Sequence, residues 1–329
     1  MSAKNKTLTS NFCAKSPGRT RLLNALGGAT MSAVSLLGAS LARASTSITR
    51  QNGTRTTTWS EIRTTIGDTI SINDATLTNT AGTLRRDDAF DEALSVYLGP
   101  ATDTSSSARQ PALIDTVLVE NNSPNGGTVS GTASTTVSGI DLGVDWTLEF
   151  SSSAAQVDGT FVITNNGSST FNGYVAIQSD FGSDDETVIE ATSSGDTLFD
   201  DSDTWVVTSE DSNETAGSDP IIVSATTRAD AVVGPESDIN PLDGDDDELI
   251  WRVNVSLAPG QSTTIGASHC LYETIAEAIA GAPACNAASA GAQSIPVMRN
   301  PALLMLAVMT GLLGAGQLQR RFRKSSGAA

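Results

Sequence analysis

The chain has 329 residues, a formal net charge of −18, 39% apolar residues and only 5% aromatic ones. That length holds one large β domain or two smaller ones, each with its own core. So acidic a chain repels nucleic acid, which excludes a phosphate-backbone binder, and it attracts divalent cations or basic partners.

The charge is segregated along the chain. Residues 1–44 carry Lys4, Lys6, Lys15, Arg19, Arg21 and Arg43 and no acid; from Arg299 onward there are five more basic residues and again no acid. All 37 carboxylates lie between, against eight arginines, a net of −29. Basic ends around an acidic middle are expected when anionic cytoplasmic lipid retains the ends and the middle is exported.

From the N terminus, the basic stretch leads into the uncharged run Leu22 to Leu41 and then Ala42-Arg43-Ala44 before Ser45. This is the pattern of a secretory signal over 1–44, with Ala42 and Ala44 in the small-residue positions that signal peptidase accepts and Ser45 as the new N terminus. Cys13 lies in the removed part.

Residues 45–268 are rich in Ser, Thr, Gly, Asp and Asn, with short β-branched and aromatic runs at 68–77, 113–119, 144–150, 159–164, 173–178, 204–208, 221–226 and 249–257. In Val144, Trp146, Leu148 and Phe150 the large side chains fall on one face, as do Trp251, Val253, Val255 and Leu257. One buried and one wet face marks an antiparallel sheet. Turn residues such as Asn165-Asn166-Gly167 and Pro259-Gly260 separate the runs. The fold class predicted is all-β, an antiparallel β-sandwich or jelly roll, preferably one domain, with a weak boundary near 121–127 as the only sign of two.

After residue 268 the pattern changes. Leu271, Ile275 and Ile279 at spacing four predict one face of a short helix over 269–285, ended by Gly281 and Pro283, and 286–294 reads as a flexible linker. Cys270 and Cys285, the two cysteines left after export, predict a disulfide closing the helix against the last strand.

The remainder, 295–324, begins Ile295-Pro296-Val297-Met298 and continues into 18 mostly apolar residues at 301–318. A helix of that length reaches about 27 Å, enough for a thin bilayer core. Arg320, Arg321, Arg323 and Lys324 then act as a stop-transfer cluster, holding the C terminus in the cytoplasm. Motif, apolar helix and basic end, in that order, resemble the IPTL-type sorting signal of bacterial exosortase substrates. The resemblance covers about the last 35 residues and departs from the family at Val297, Met298 and Pro301, where Thr, Leu and a Trp nearby are usual. It implies cleavage near Ile295–Met298 by an exosortase-type transpeptidase, with a permanent membrane anchor as the alternative, and it implies no catalytic residue in this chain.

No nucleophile elbow or metal-binding histidine pair is present, and the single histidine, His269, reads as structural. The strongest chemical lead is acidic: Asp243, Asp245, Asp247 and Glu248 precede a strand, and such loop oxygens can hold Ca²⁺. Their spacing is not that of an EF-hand, and solvated acidic loops are the competing reading, so no cofactor is required. The expectation is an exported, membrane- or surface-anchored, non-enzymatic envelope protein acting in adhesion, matrix or surface structure. Its partners would be signal peptidase, membrane lipid, the transpeptidase and an extracellular ligand of unknown identity. The alternatives are a carbohydrate-binding module, which should line aromatics along one sheet face, and a hydrolase, which needs two carboxylates in a cleft.

Overall fold

The computed structural model describes residues 45–79, 81–82, 85–182, 187–210, 212–234 and 247–291, all within one compact unit. Seventeen strands follow in order: β1 (Ser45–Asn52), β2 (Arg55–Arg63), β3 (Asp74–Asn79), β4 (Arg85–Arg86), β5 (Phe90–Pro100), β6 (Gln110–Pro111), β7 (Leu113–Asn121), β8 (Gly127–Val137) and β9 (Ile140–Phe150). They continue with β10 (Gln156–Asn165), β11 (Phe171–Phe181), β12 (Thr187–Thr192), β13 (Trp205–Glu210), β14 (Ile221–Thr226), β15 (Val232–Val233), β16 (Glu248–Leu257) and β17 (Ser262–Tyr272). A helix, α1 (Ile275–Gly291), closes the series.

The strands form an eight-stranded sheet in the order β12-β13-β14-β17-β10-β9-β8-β7, a five-stranded sheet β15-β16-β11-β5-β6 and a four-stranded sheet β1-β2-β3-β4. Their pairings are antiparallel throughout. The all-β, sandwich-like expectation therefore holds at this level.

Strand alternation builds the core. In β9, Leu142, Val144, Trp146, Leu148 and Phe150 are buried while Asp141 and Glu149 are exposed. Trp251 and Val253 of β16 face them from the five-stranded sheet, and one continuous apolar cluster joins all three sheets. Trp59 carries the four-stranded sheet into it, stacking on Phe90 at 6.4 Å and tilting against Phe150 at 5.8 Å. Between β8 and β9 only Ser138 and Gly139 turn the chain, both at positive φ (50° and 79°). That is the geometry a two-residue hairpin needs to match strand twist, and Gly139 supplies it without strain. Residues 122–126 connect β7 to β8, which pair along their length.

The helix differs from its expectation. It runs through both Gly281 and Pro283 to Gly291, taking in residues read as linker. Its buried face is Ala278, Ala282 and Cys285, whereas Ile279 is 40% exposed and Leu271 belongs to β17. Small residues let the helix lie close on the outer side of β13, β14 and β17, where Val207, Ile221, Val223 and Cys270 meet it. Gly281 serves that approach: a Cβ there would sit 2.1 Å from the Tyr272 hydroxyl oxygen. No helix among the described residues is long and apolar enough to cross a membrane, and the expected span 301–318 lies outside them.

Candidate functional site

The residues singled out in the sequence fare unevenly. Cys270 and Cys285 are bonded, with Cα atoms 6.2 Å apart and a sequence separation of 15. Closing a loop of that size contributes about 3 kcal/mol in the chain-entropy model. Ser45 opens β1. Ala42, Ala44, Ile295, Pro296, Val297, Met298, Arg320, Arg321, Arg323 and Lys324 lie outside the described residues, as do Asp243 and Asp245.

The other two acids of that cluster are committed within the fold. Asp247 is 4% exposed and accepts from the Thr187 N–H at 3.2 Å. Glu248 accepts from Gln178 Nε2 at 2.6 Å and pairs with Arg109 at 3.5 Å. Among the described residues no group of three or more His, Cys, Asp or Glu could hold a metal ion.

His269 joins the two main sheets from inside. Nε2 lies 2.8 Å from Ser179 Oγ on β11, and Nδ1 lies 2.8 Å from Ser224 Oγ on β14. The Leu94 N–H donates to the same Ser179 oxygen at 3.2 Å, and the Phe90 ring lies 4.9 Å away. The imidazole is 2% exposed, and burial pushes its pKa down to about 3. A ring so sealed reaches no substrate, and its place in the core is structural.

Among the described residues a polar sheet face also stands out, one that the sequence did not point to. On the outer side of β9 stand Asp141, Asp145, Thr147 and Glu149, by the same alternation that buries Trp146. Register adds Thr128, Ser130 and Thr132 from β8, then Asp158, Thr160 and Thr164 from β10. Glu149 stands directly opposite Asp158. Asp158 accepts from Gln156 Nε2 at 2.8 Å and from Ser268 Oγ. Like charges facing across a ladder destabilise a sheet, so this pair is a cost that packing does not explain. The alternation was visible in sequence, but pairing Glu149 with Asp158 required the register.

Trp59, Trp146 and Trp251 are buried and Trp205 is half-buried against α1, so this face offers no tryptophan for stacking. A shallow groove at the β16–β17 hairpin is lined by Arg228, Asn254, Gln261 and Thr263. Its guanidinium is taken by both oxygens of Asp230, each at 2.6 Å.

No family model matches the chain, and no curated protein is similar to it in sequence. Solved structures similar to it include a putative aldose 1-epimerase from Escherichia coli K12, at 13% identity and TM-score 0.36, covering 70% of this chain and 99% of that one. Another putative aldose 1-epimerase, from Klebsiella pneumoniae, has 12% identity and TM-score 0.43, covering 73% and 82%. A GalM/aldose epimerase homologue from C. elegans has 10% identity and TM-score 0.41, covering 71% and 100%. These are described as sugar epimerases, that is, as enzymes, and against them the expectation of a non-enzymatic adhesion or matrix protein is withdrawn. The likeness is one of strand arrangement and assigns no substrate, activity or residue role to this chain.

Proposed function

We propose that the chain is exported across a bacterial cytoplasmic membrane and displays its acidic β-sandwich in the cell envelope. Signal peptidase cuts between Ala44 and Ser45, residues 301–318 span the bilayer with the basic end in the cytoplasm, and an exosortase-type transpeptidase cuts near Ile295–Met298. The observation that carries this reading is the Cys270–Cys285 bond, which joins the only cysteines downstream of Ala44. Such bonds persist in oxidising compartments and are rare in the cytosol. Mass spectrometry of the protein from its native host tests the proposal: an N terminus at Ser45, a C terminus within 295–298 and oxidised cysteines are expected. An intact tail in the membrane fraction would remove the transpeptidase step and leave a plain anchor. An unprocessed, soluble cytoplasmic chain with two free thiols would overturn the reading.

The Glu149–Asp158 pair favours a second, compatible statement: the open face of β8, β9 and β10 takes a polyhydroxylated ligand, a saccharide. Ionised carboxylates only accept hydrogen bonds, while the flanking Ser and Thr hydroxyls donate and accept. A polyol brings further donors to this pair, beyond Gln156 and Ser268, which already donate to Asp158. Titrating saccharide mixtures against the protein and following ligand NMR signals would register both binding and any chemical change. The double variant E149Q/D158N should weaken the response at least tenfold while keeping the fold. Equal responses from wild type and variant would remove the face as the site.

A further inference from the structure

We propose that the protein holds one small monovalent anion inside its core, on the inner side of the β1–β2 hairpin, bound by Arg50, Thr57 and Trp59. Arg50 points inward from β1 and is 1% exposed. Among the described residues its Nε, Nη1 and Nη2 all lack a hydrogen-bond partner. Thr57, directly opposite on β2, is fully buried, and its hydroxyl is also without a partner. Two residues along, on the same face, Trp59 is fully buried with an unpartnered indole N–H. Three side chains on one inner face of the hairpin therefore carry buried donors for which the described residues supply no acceptor.

Arg86 shows what this fold does when it supplies acceptors. It lies in the same row, since Arg50 faces Thr57, Thr57 faces Leu77 and Leu77 faces Arg86. It is just as buried, yet it donates to Ser218 Oγ at 2.6 Å, to the Asp219 carbonyl at 3.0 Å and to the Glu273 carbonyl at 2.6 Å. Around Arg50, burial and the positive charge of Arg55 both disfavour its charged form. A buried guanidinium without a counter-charge is among the costliest arrangements a core can contain.

An anion resolves it. The guanidinium fork matches a halide or two carboxylate oxygens, and the Thr57 hydroxyl and Trp59 N–H complete the shell. One cation sets the charge of the guest: chloride or formate balances Arg50, whereas sulfate would leave an unpaired negative charge in an apolar surrounding. The flanking rings, Phe90 and Phe150 against Trp59, keep water out and strengthen the contact.

The test uses the full chain. Melting temperature is followed at fixed ionic strength while gluconate, a far bulkier anion, is replaced by chloride, bromide or formate. A saturable rise is expected for wild type and none for R50M, whose side chain has similar length and no charge. Crystals grown in bromide should show anomalous density beside the Arg50 guanidinium, which keeps the proposal open to refutation if R50M does not fold. A melting temperature indifferent to the anion, an equal rise in R50M, or no bromide density at Arg50 would each overturn it.

Discussion

His269 ties the stability of the core to pH. Its neutral ring can donate from one nitrogen and accept at the other, and Ser179 and Ser224 meet the two. Support for Ser179 comes from Leu94, a non-glycine residue at φ 59° where β5 and β11 slip register. A leucine in that region is strained, and the backbone around it fixes the N–H that holds Ser179. In the unfolded chain the imidazole titrates near 6.5, and in the folded one near 3. The unfolded state therefore binds more protons in this window, so stability is complete above about pH 6.5 and falls as pH drops toward 3. The slope is about 0.7 kcal/mol per pH unit at pH 6.5 and rises to about 1.4 near pH 5. Since the chain has a single histidine, the interval from pH 6.5 to 5, above the ordinary carboxylate range, reports on this residue alone. Urea denaturation at half-unit steps should show that slope in wild type and a flat line in H269Q. A slope equal in both proteins would place the titrating group elsewhere.

At the scale of elements, what the sequence disclosed depended on how strictly a strand alternates. β9 was legible because it sends large apolar side chains one way and small or charged ones the other, and β16 because Trp251, Val253 and Leu257 alternate with Arg252, Asn254 and Ser256, although Ile250 packs on its other face. β1 and β2 were not, because their inward positions include Arg50 and Thr57 beside Ile48 and Trp59, which breaks the apolar period. β8 hid for a different reason: GTVSGTASTTV fills its core face with Val129, Gly131 and Ala133, too small to give a periodic signal. Gly131 is small by necessity, since a Cβ there would meet the Thr116 carbonyl oxygen at 1.9 Å. β17 carries Ser268, His269 and Cys270 through the middle of the molecule, all buried, and polar letters read as surface. The helix was found but its face was misjudged, because the disulfide and the alanine stripe, rather than the large isoleucines, set its rotation. The candidate face inherits this pattern. Its acids were visible singly on β9, but their neighbours come from β8, which was hidden, and from β10, whose register against β9 was not legible.

For the whole molecule the governing quantity is charge. The described fold lies in the acidic middle, where eight arginines meet 37 carboxylates. Salt acts on this excess in two opposed ways. It screens repulsion among the acids, which stabilises the compact state, and it weakens pairs such as Arg55 with Glu273 at 2.6 Å and Glu277 at 2.9 Å, which does the reverse. Magnitudes decide between them. An exposed or half-exposed pair is worth about 0–1 kcal/mol, and no arrangement of eight cations can neutralise so many acids, so repulsion is the larger effect. Its range shrinks with ionic strength, the Debye length falling from about 30 Å at 0.01 M to about 8 Å at 0.15 M. Raising salt across that interval with a large, non-binding anion should therefore raise the melting temperature by several degrees, most steeply at the low end. Gluconate salts read this general effect, and the exchange of gluconate for chloride at constant ionic strength reads the Arg50 site separately. A melting temperature that fell with added gluconate would mean that the ion pairs outweigh the repulsion and that the acids are spread far enough apart in the fold to ignore one another.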